Sequence, residues 1–241
     1  MRKYIFILFI ITTNLYSQGF DWQISRRYPI EMPKNFYGIG LDYSIGLEIG
    51  DFNLIENLIQ CCRFTDGNSN SISINLYNEN WMNDGNSYIL LAKINFFNSN
   101  FEINNKEVMR DGFFETKYIF NNKLIRIAIG GAYKYKFENV GLYLLGGLEI
   151  NLNISNKEEF KERAISNNVP FDERTLFDGN IDKFNNLLFI PFMEIGKDLE
   201  LGYGIYASTG IKLNYTLNSL LENENWRSIF FSVNLKVFKT F

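Results

Sequence analysis

From residue 36 onward, apolar and polar side chains alternate with a period of two in one segment after another. In 140–154, Val140, Leu142, Leu144, Leu148, Ile150, Leu152 and Ile154 share one face, while Glu149, Asn151 and Asn153 fall on the other. In 36–50 one face carries Tyr37, Ile39, Leu41, Tyr43, Ile45, Leu47 and Ile49, opposite a face of glycines with Asp42, Ser44 and Glu48. Side chains on a strand point alternately to opposite faces, so this period predicts strands with one apolar side and excludes amphipathic helices of period 3.6.

The pattern recurs at 36–50, 70–80, 87–98, 113–137, 140–154, 186–196, 199–215 and 226–240, which predicts eight strands. The connectors are 51–69, 81–86, 99–112, 138–139, 155–185, 197–198 and 216–225, alternately long and short. Short turns on one side and long loops on the other are the layout of an up-and-down barrel that crosses a membrane. The expected fold is therefore all-β, a transmembrane antiparallel up-and-down β-barrel of eight strands. Asn121-Asn122-Lys123 interrupts the fourth segment as either a bulge or a turn, and a turn there would make the count ten. Pro191 removes a ladder donor in a sheet without edges, and a bulge or bend is expected there.

Alternation also assigns the two faces. Ile125, Ile127, Ile129, Leu142, Leu144, Ile229, Phe231, Val233, Leu235 and Val237 are expected to meet lipid. The opposite faces place Asp42, Glu48, Lys93, Arg126, Lys134, Lys136, Glu149, Glu194, Lys212 and Lys236 in the lumen. Eight strands enclose little more than their own side chains, so these charges are expected to fill the interior as ion pairs. A lining that selects solutes in a narrow channel is the alternative. Phe36, Tyr37, Trp81, Tyr88, Phe137, Tyr215 and Trp226 lie near strand ends, where aromatic girdles form.

At the N-terminus Arg2 and Lys3 precede the apolar run 4–11, followed by Ser17 at a plausible cleavage point. Residues 1–17 read as a signal peptide, 18–35 as a periplasmic lead-in with two prolines, and 36–241 as one barrel domain. No other run reaches the ~18 apolar residues of a membrane-spanning helix. A formal charge of −3 and no Lys/Arg-rich run leave no basic field for nucleic acid.

The alternating strands, the leader and the C-terminal 228–241 (SIFFSVNLKVFKTF) resemble the outer-membrane β-barrel domain family, the small porin-like, OmpA/OmpX-like proteins of Gram-negative bacteria. The resemblance implies residence in the cell outer membrane and a last strand, with Val233, Leu235, Val237 and a terminal Phe241, read by the barrel assembly machinery. Outer-membrane lipid would surround it.

The chain has no histidine, which removes Ser-His and Cys-His catalysis. No catalytic constellation, metal site or cofactor motif stands out, so a non-enzymatic structural or surface-interaction protein is expected. Conduction of small solutes and a secreted soluble β-barrel binding protein are the other readings. Cys61 and Cys62 are adjacent, and a strained vicinal disulfide is favoured over two free thiols or a weak metal site. In loop 155–185, residues 157–165 carry helix formers, with Glu159 four before Arg163. Its carboxylates Asp172, Glu173, Asp178 and Asp182 lack calcium-loop spacing. Loops 51–69 and 155–185 are the expected contacts for a surface partner.

Overall fold

The computed structural model describes residues 34–52, 63–83, 85–109, 112–137, 140–166, 169–179, 184–202, 204–222 and 224–240. They contain nine strands: β1 (Asn35–Phe52), β2 (Phe64–Asn83), β3 (Asn86–Met109), β4 (Gly112–Phe137), β5 (Leu142–Ser166), β6 (Val169–Gly179), β7 (Leu187–Gly202), β8 (Ile205–Tyr215) and β9 (Asn225–Thr240). All pairings are antiparallel, and eight strands close a ring in the order β1-β2-β3-β4-β5-β7-β8-β9, with β9 returning to β1. The ninth, β6, stands outside the ring and pairs with the upper part of β5.

Paired residues followed once around the ring do not meet themselves. The path Phe36, Glu79, Ile89, Ala132, Gly147, Phe192, Asn214, Phe230 comes back to β1 at Gly46, ten residues from its start. A stagger of that size on eight strands tilts them by ~35–45° and leaves an interior that side chains can fill.

Several strands run past their expected ends. Lys197 and Asp198 are not a turn: β7 continues through them, and the chain reverses after Gly202, with Gly202 and Gly204 at φ 86° and 72°. Glycine takes that region without strain, and Asp198 turns inward to a lysine rather than outward to water. Residues 157–165 form no helix. Flanked by β4 and β6, they make cross-strand contacts that override their helix propensity. The ladders are unbroken at Asn121-Asn122-Lys123, so β4 is one strand and the ten-strand count does not apply. The irregularity lies across from it on β5, where Arg126 pairs with Asn153 and Ile125 with Ser155, leaving Ile154 as the extra residue of a bulge. Pro191 makes no bulge: it pairs in register with Leu148, and the ladder to β8 starts one residue later at Phe192, so the missing donor falls at a ladder's end.

The outside is an apolar belt. On β9 it runs from Ile229 to Val237, eight residue steps that rise roughly 20 Å at ~3.4 Å per residue and a tilt of ~40°. On β1 it runs from Tyr37 to Ile49, roughly 30 Å by the same reckoning. Ile39, Ile74, Ile129, Met193 and Val233 are each more than half exposed within it. Ring strands are joined by short connections at one end; at the other, β1–β2 and β8–β9 are joined by longer ones, while β3–β4 and β5–β6 are each joined by two residues at the far tips of their extended strands. At the loop end, β3 and β4 project beyond the last β2–β3 pair, Gly67 with Phe101, and with β5 and β6 they form a four-stranded sheet above the ring.

Candidate functional site

The interior is stacked in layers, each set by the inward residues of several strands. Nearest the turn end, Lys134 Nζ lies 2.8 Å from Asp198 and 3.2 Å from Glu79. Ser208 donates to Asp198 and Ser87 to Glu79, both at 2.5 Å. The ammonium sits among the rings of Tyr143, Tyr206 and Trp81, at 4.6, 5.2 and 5.3 Å from their centroids. A buried cation with two carboxylates and aromatic faces has replaced its lost hydration by fixed partners. Lys136 lies 5.5 Å from the Trp81 ring.

One layer up, Glu194 accepts from Lys236 and from the Tyr143 hydroxyl. Above that, Glu149 accepts from both Lys93 and Lys212, with Lys212 also 4.1 Å from the Phe192 ring. Asp42 is buried in the same layer. Towards the loop end, Arg126 stacks at 4.1 Å on Phe97 and donates to Asn153 at 3.1 Å, while Glu48 accepts from Trp226 Nε1 at 2.6 Å and from Ser228. Below Phe160 six cations thus share the lumen with seven carboxylates: Lys93, Arg126, Lys134, Lys136, Lys212 and Lys236 with Asp42, Glu48, Glu79, Glu149, Glu158, Glu194 and Asp198.

Apolar clusters bound this charged section. At the turn end Phe36, Tyr77, Leu91, Phe192, Tyr206 and Phe238 pack together, Tyr206 and Phe238 stacked at 4.7 Å. At the loop end Phe52, Phe64, Phe101, Phe120, Phe160 and Trp226 form a plug, with Phe52 stacked on Trp226 at 5.0 Å and Phe101 edge-on to it at 5.0 Å. The β8–β9 connection folds over this plug: Leu220 and Leu221 are buried in it, and Asn185 donates to the carbonyls of Ser219 and Leu221.

All ten charges assigned to the lumen by alternation lie inside the ring. Three further ones, Glu79, Glu158 and Asp198, were not singled out. Glu79 has the inward parity of its segment and could have been found, whereas Asp198 was hidden by the misplaced turn. The plug was also missed, and three supposed girdle residues belong inside: Phe36 and Trp226 are fully buried, and Trp81 packs against the turn-end cluster. Proximity to a strand end does not decide a face; parity does. Tyr37, Tyr88 and Phe137 point outward and are exposed. So do Val233, Leu235 and Val237, while Phe241 lies outside the described residues. Residues 1–17, most of 18–35, Cys61, Cys62 and Asp182 lie outside them as well.

On the projecting sheet the charges pair across strands. Lys117 meets Glu102 at 2.6 Å, Arg163 meets Glu173 at 2.6 Å, Lys157 meets Asp178 at 3.4 Å, and Arg174 pairs with Glu162. A hydrogen bond from Lys161 holds the Glu159 carboxyl below its ordinary value, and the same bond raises Lys161. Glu173 and Asp178 are thus engaged by cations. Among the described residues no three carboxylates or thiols gather as metal ligands.

Neither a protein-family model nor a curated protein matches this sequence. Among solved structures the chain is similar to Neisserial surface protein A, at 12% identity and TM-score 0.38, covering 85% of this chain and 97% of that one. It is similar also to Ail, the attachment invasion locus protein of Yersinia pestis, in complex with the heparin analogue sucrose octasulfate, at 10% identity and TM-score 0.32, covering 86% and 99%. A third is the translocator domain of the autotransporter NalP from Neisseria meningitidis, at 9% identity and TM-score 0.30, covering 88% and 90%. By the pairing of its own strands, closed in a ring of eight with charges within and an apolar belt without, the chain has the architecture of the outer-membrane β-barrel family.

Proposed function

We propose that this is a non-enzymatic integral protein of the cell outer membrane, with a structural or surface-interaction role and a lumen that serves as its core. The observation that carries the reading is the interior: cations and carboxylates engage one another, and the Phe52–Trp226 plug with Leu220 and Leu221 stands across the loop end. Such packing favours a filled core over a narrow porin. The belt, too tall and too apolar to leave in water, favours the membrane over a secreted soluble barrel. Short turns then face the periplasm, and the sheet of β3, β4, β5 and β6 stands outside the cell.

On this reading outer-membrane lipid covers the belt, and the barrel assembly machinery recognises β9 through Val233, Leu235 and Val237 with Phe241. A surface partner is met by connections 51–69 and 155–185, the second of which supplies β6. The test is to express the full chain in a Gram-negative host, fractionate the membranes, compare heated and unheated samples on a denaturing gel, and record currents in planar bilayers. Outer-membrane recovery, a heat-dependent mobility shift and no unit conductance are expected. Stepwise currents would favour the porin, and recovery in the soluble fraction would overturn the membrane reading.

A further inference from the structure

The outward face above the belt differs around the ring. Climbing from the belt, the first charged side chain is a carboxylate on β1, β2 and β3 (Asp51, Asp66 and Glu102) but a lysine on β4 and β5 (Lys123 and Lys157). These two lysines are directly opposite each other in the β4–β5 register. Like charges so placed repel. Lys157 has only a 3.4 Å pair with Asp178, both side chains more than half exposed, and such pairs contribute little. Lys123 has no ion pair within 4 Å among the described residues, although its charge reaches the Glu159 carboxylate on β5.

On its other side Lys123 is register-paired with Asn98, and Asn98 with Asn70. Asn70, Asn98, Lys123 and Lys157 form one exposed row of donors across four strands, immediately above Ile72, Phe96, Ile125 and Ile154 of the belt. An anion held between the two ammonium groups converts their repulsion into attraction, and amide donors beside it suit the oxygens of a phosphate and its sugar. Continuity with the belt supplies the place for acyl chains. Across the ring Arg227 is instead held by the Tyr215 hydroxyl at 3.1 Å.

We propose that this row binds the phosphate-bearing headgroup of one outer-leaflet lipid, with Lys123 and Lys157 gripping a phosphate between them. The inference rests on the membrane reading above. To test it, the full chain is reconstituted in phosphatidylcholine vesicles doped with bisphosphorylated lipid A or with its dephosphorylated form. Flotation scores insertion, and native mass spectrometry of the detergent-extracted protein scores retained lipid. Wild-type protein should retain the phosphorylated lipid, and K123Q/K157Q should bind it roughly ten- to thirtyfold more weakly. K117Q/K161Q, which removes two cations tied to neighbouring carboxylates, should bind as wild type does. Equal retention by K123Q/K157Q, equal loss in K117Q/K161Q, or equal retention of the dephosphorylated lipid would overturn this site while leaving the membrane reading standing. Failure to float would overturn both.

Discussion

Lys134 shows what a single side chain does here. It is the partner of both Glu79 and Asp198, so Lys134→Ala leaves two buried carboxylates uncompensated, and a loss of about 3–5 kcal/mol is expected. The midpoint of the heat-dependent gel shift should fall accordingly; an unchanged midpoint would mean that water already reaches this layer. Gly196 has the opposite constraint, since a Cβ there would collide with the Thr209 carbonyl and the Tyr143 hydroxyl. Gly196→Ala should cost roughly 1–3 kcal/mol by overpacking, read from the same melting curve. Trp226 separates two pictures of one residue: as a girdle tryptophan it would be quenched by brominated lipid, and as the floor of the plug it should not be. A variant with Trp22 and Trp81 changed to Phe makes the fluorescence report on Trp226 alone. Lumen charges were legible at this scale because alternation assigns faces residue by residue. The plug was not, because aromatic side chains suit a girdle and a core equally well, and only their partners across the ring distinguish the two.

At the scale of elements, the ring strands were legible wherever one face met the belt. Legibility ended where the belt ended. Above it the outward positions of β5 turn polar and, among its described residues, Phe160 is the one large apolar side chain left facing inward, so the period-two signal fades, and residues 157–165 read as a helix although both neighbours hold them as a strand. The Lys197-Asp198 pair misled for a related reason: charge mimics a turn when its inward partner is unknown, and the true turn is the glycine pair flanking residue 203. Because β6 joins only β5 and lies outside the ring, replacing residues 167–181 by a short Gly-Ser link should leave the barrel intact. Its gel shift should survive, with a midpoint lowered only by the lost packing of Leu176 and Phe177 on the plug. Loss of the shift would mean that β6 is needed for closure.

For the molecule as a whole, six cations and seven carboxylates of the described residues face one another inside a closed wall, close to the balance that a low-dielectric interior favours. If these groups serve as filling, removing an interacting pair together should be far milder than removing one member. Lys236→Met alone strands Glu194 and should be strongly destabilising, whereas Lys236→Met with Glu194→Leu should restore most of the melting midpoint. No recovery would assign the pair a role beyond packing. The bulge at Ile154 has a consequence for the molecule's exterior. Below it the even-numbered residues of β5 look outward, and above it the odd-numbered ones do, so a single inserted residue sets the phase of everything the barrel holds aloft. A junction that kept Ile154 but lost the bulge would bring Glu158 and Phe160 to the outside and turn Lys157 and Glu159 toward the plug, whereas deleting Ile154 itself would remove the bulge and leave every face as it is. Exchange of this sheet between barrels by recombination would therefore succeed only when the junction keeps count, and a displayed surface could be lost through one codon without any change to the residues that form it.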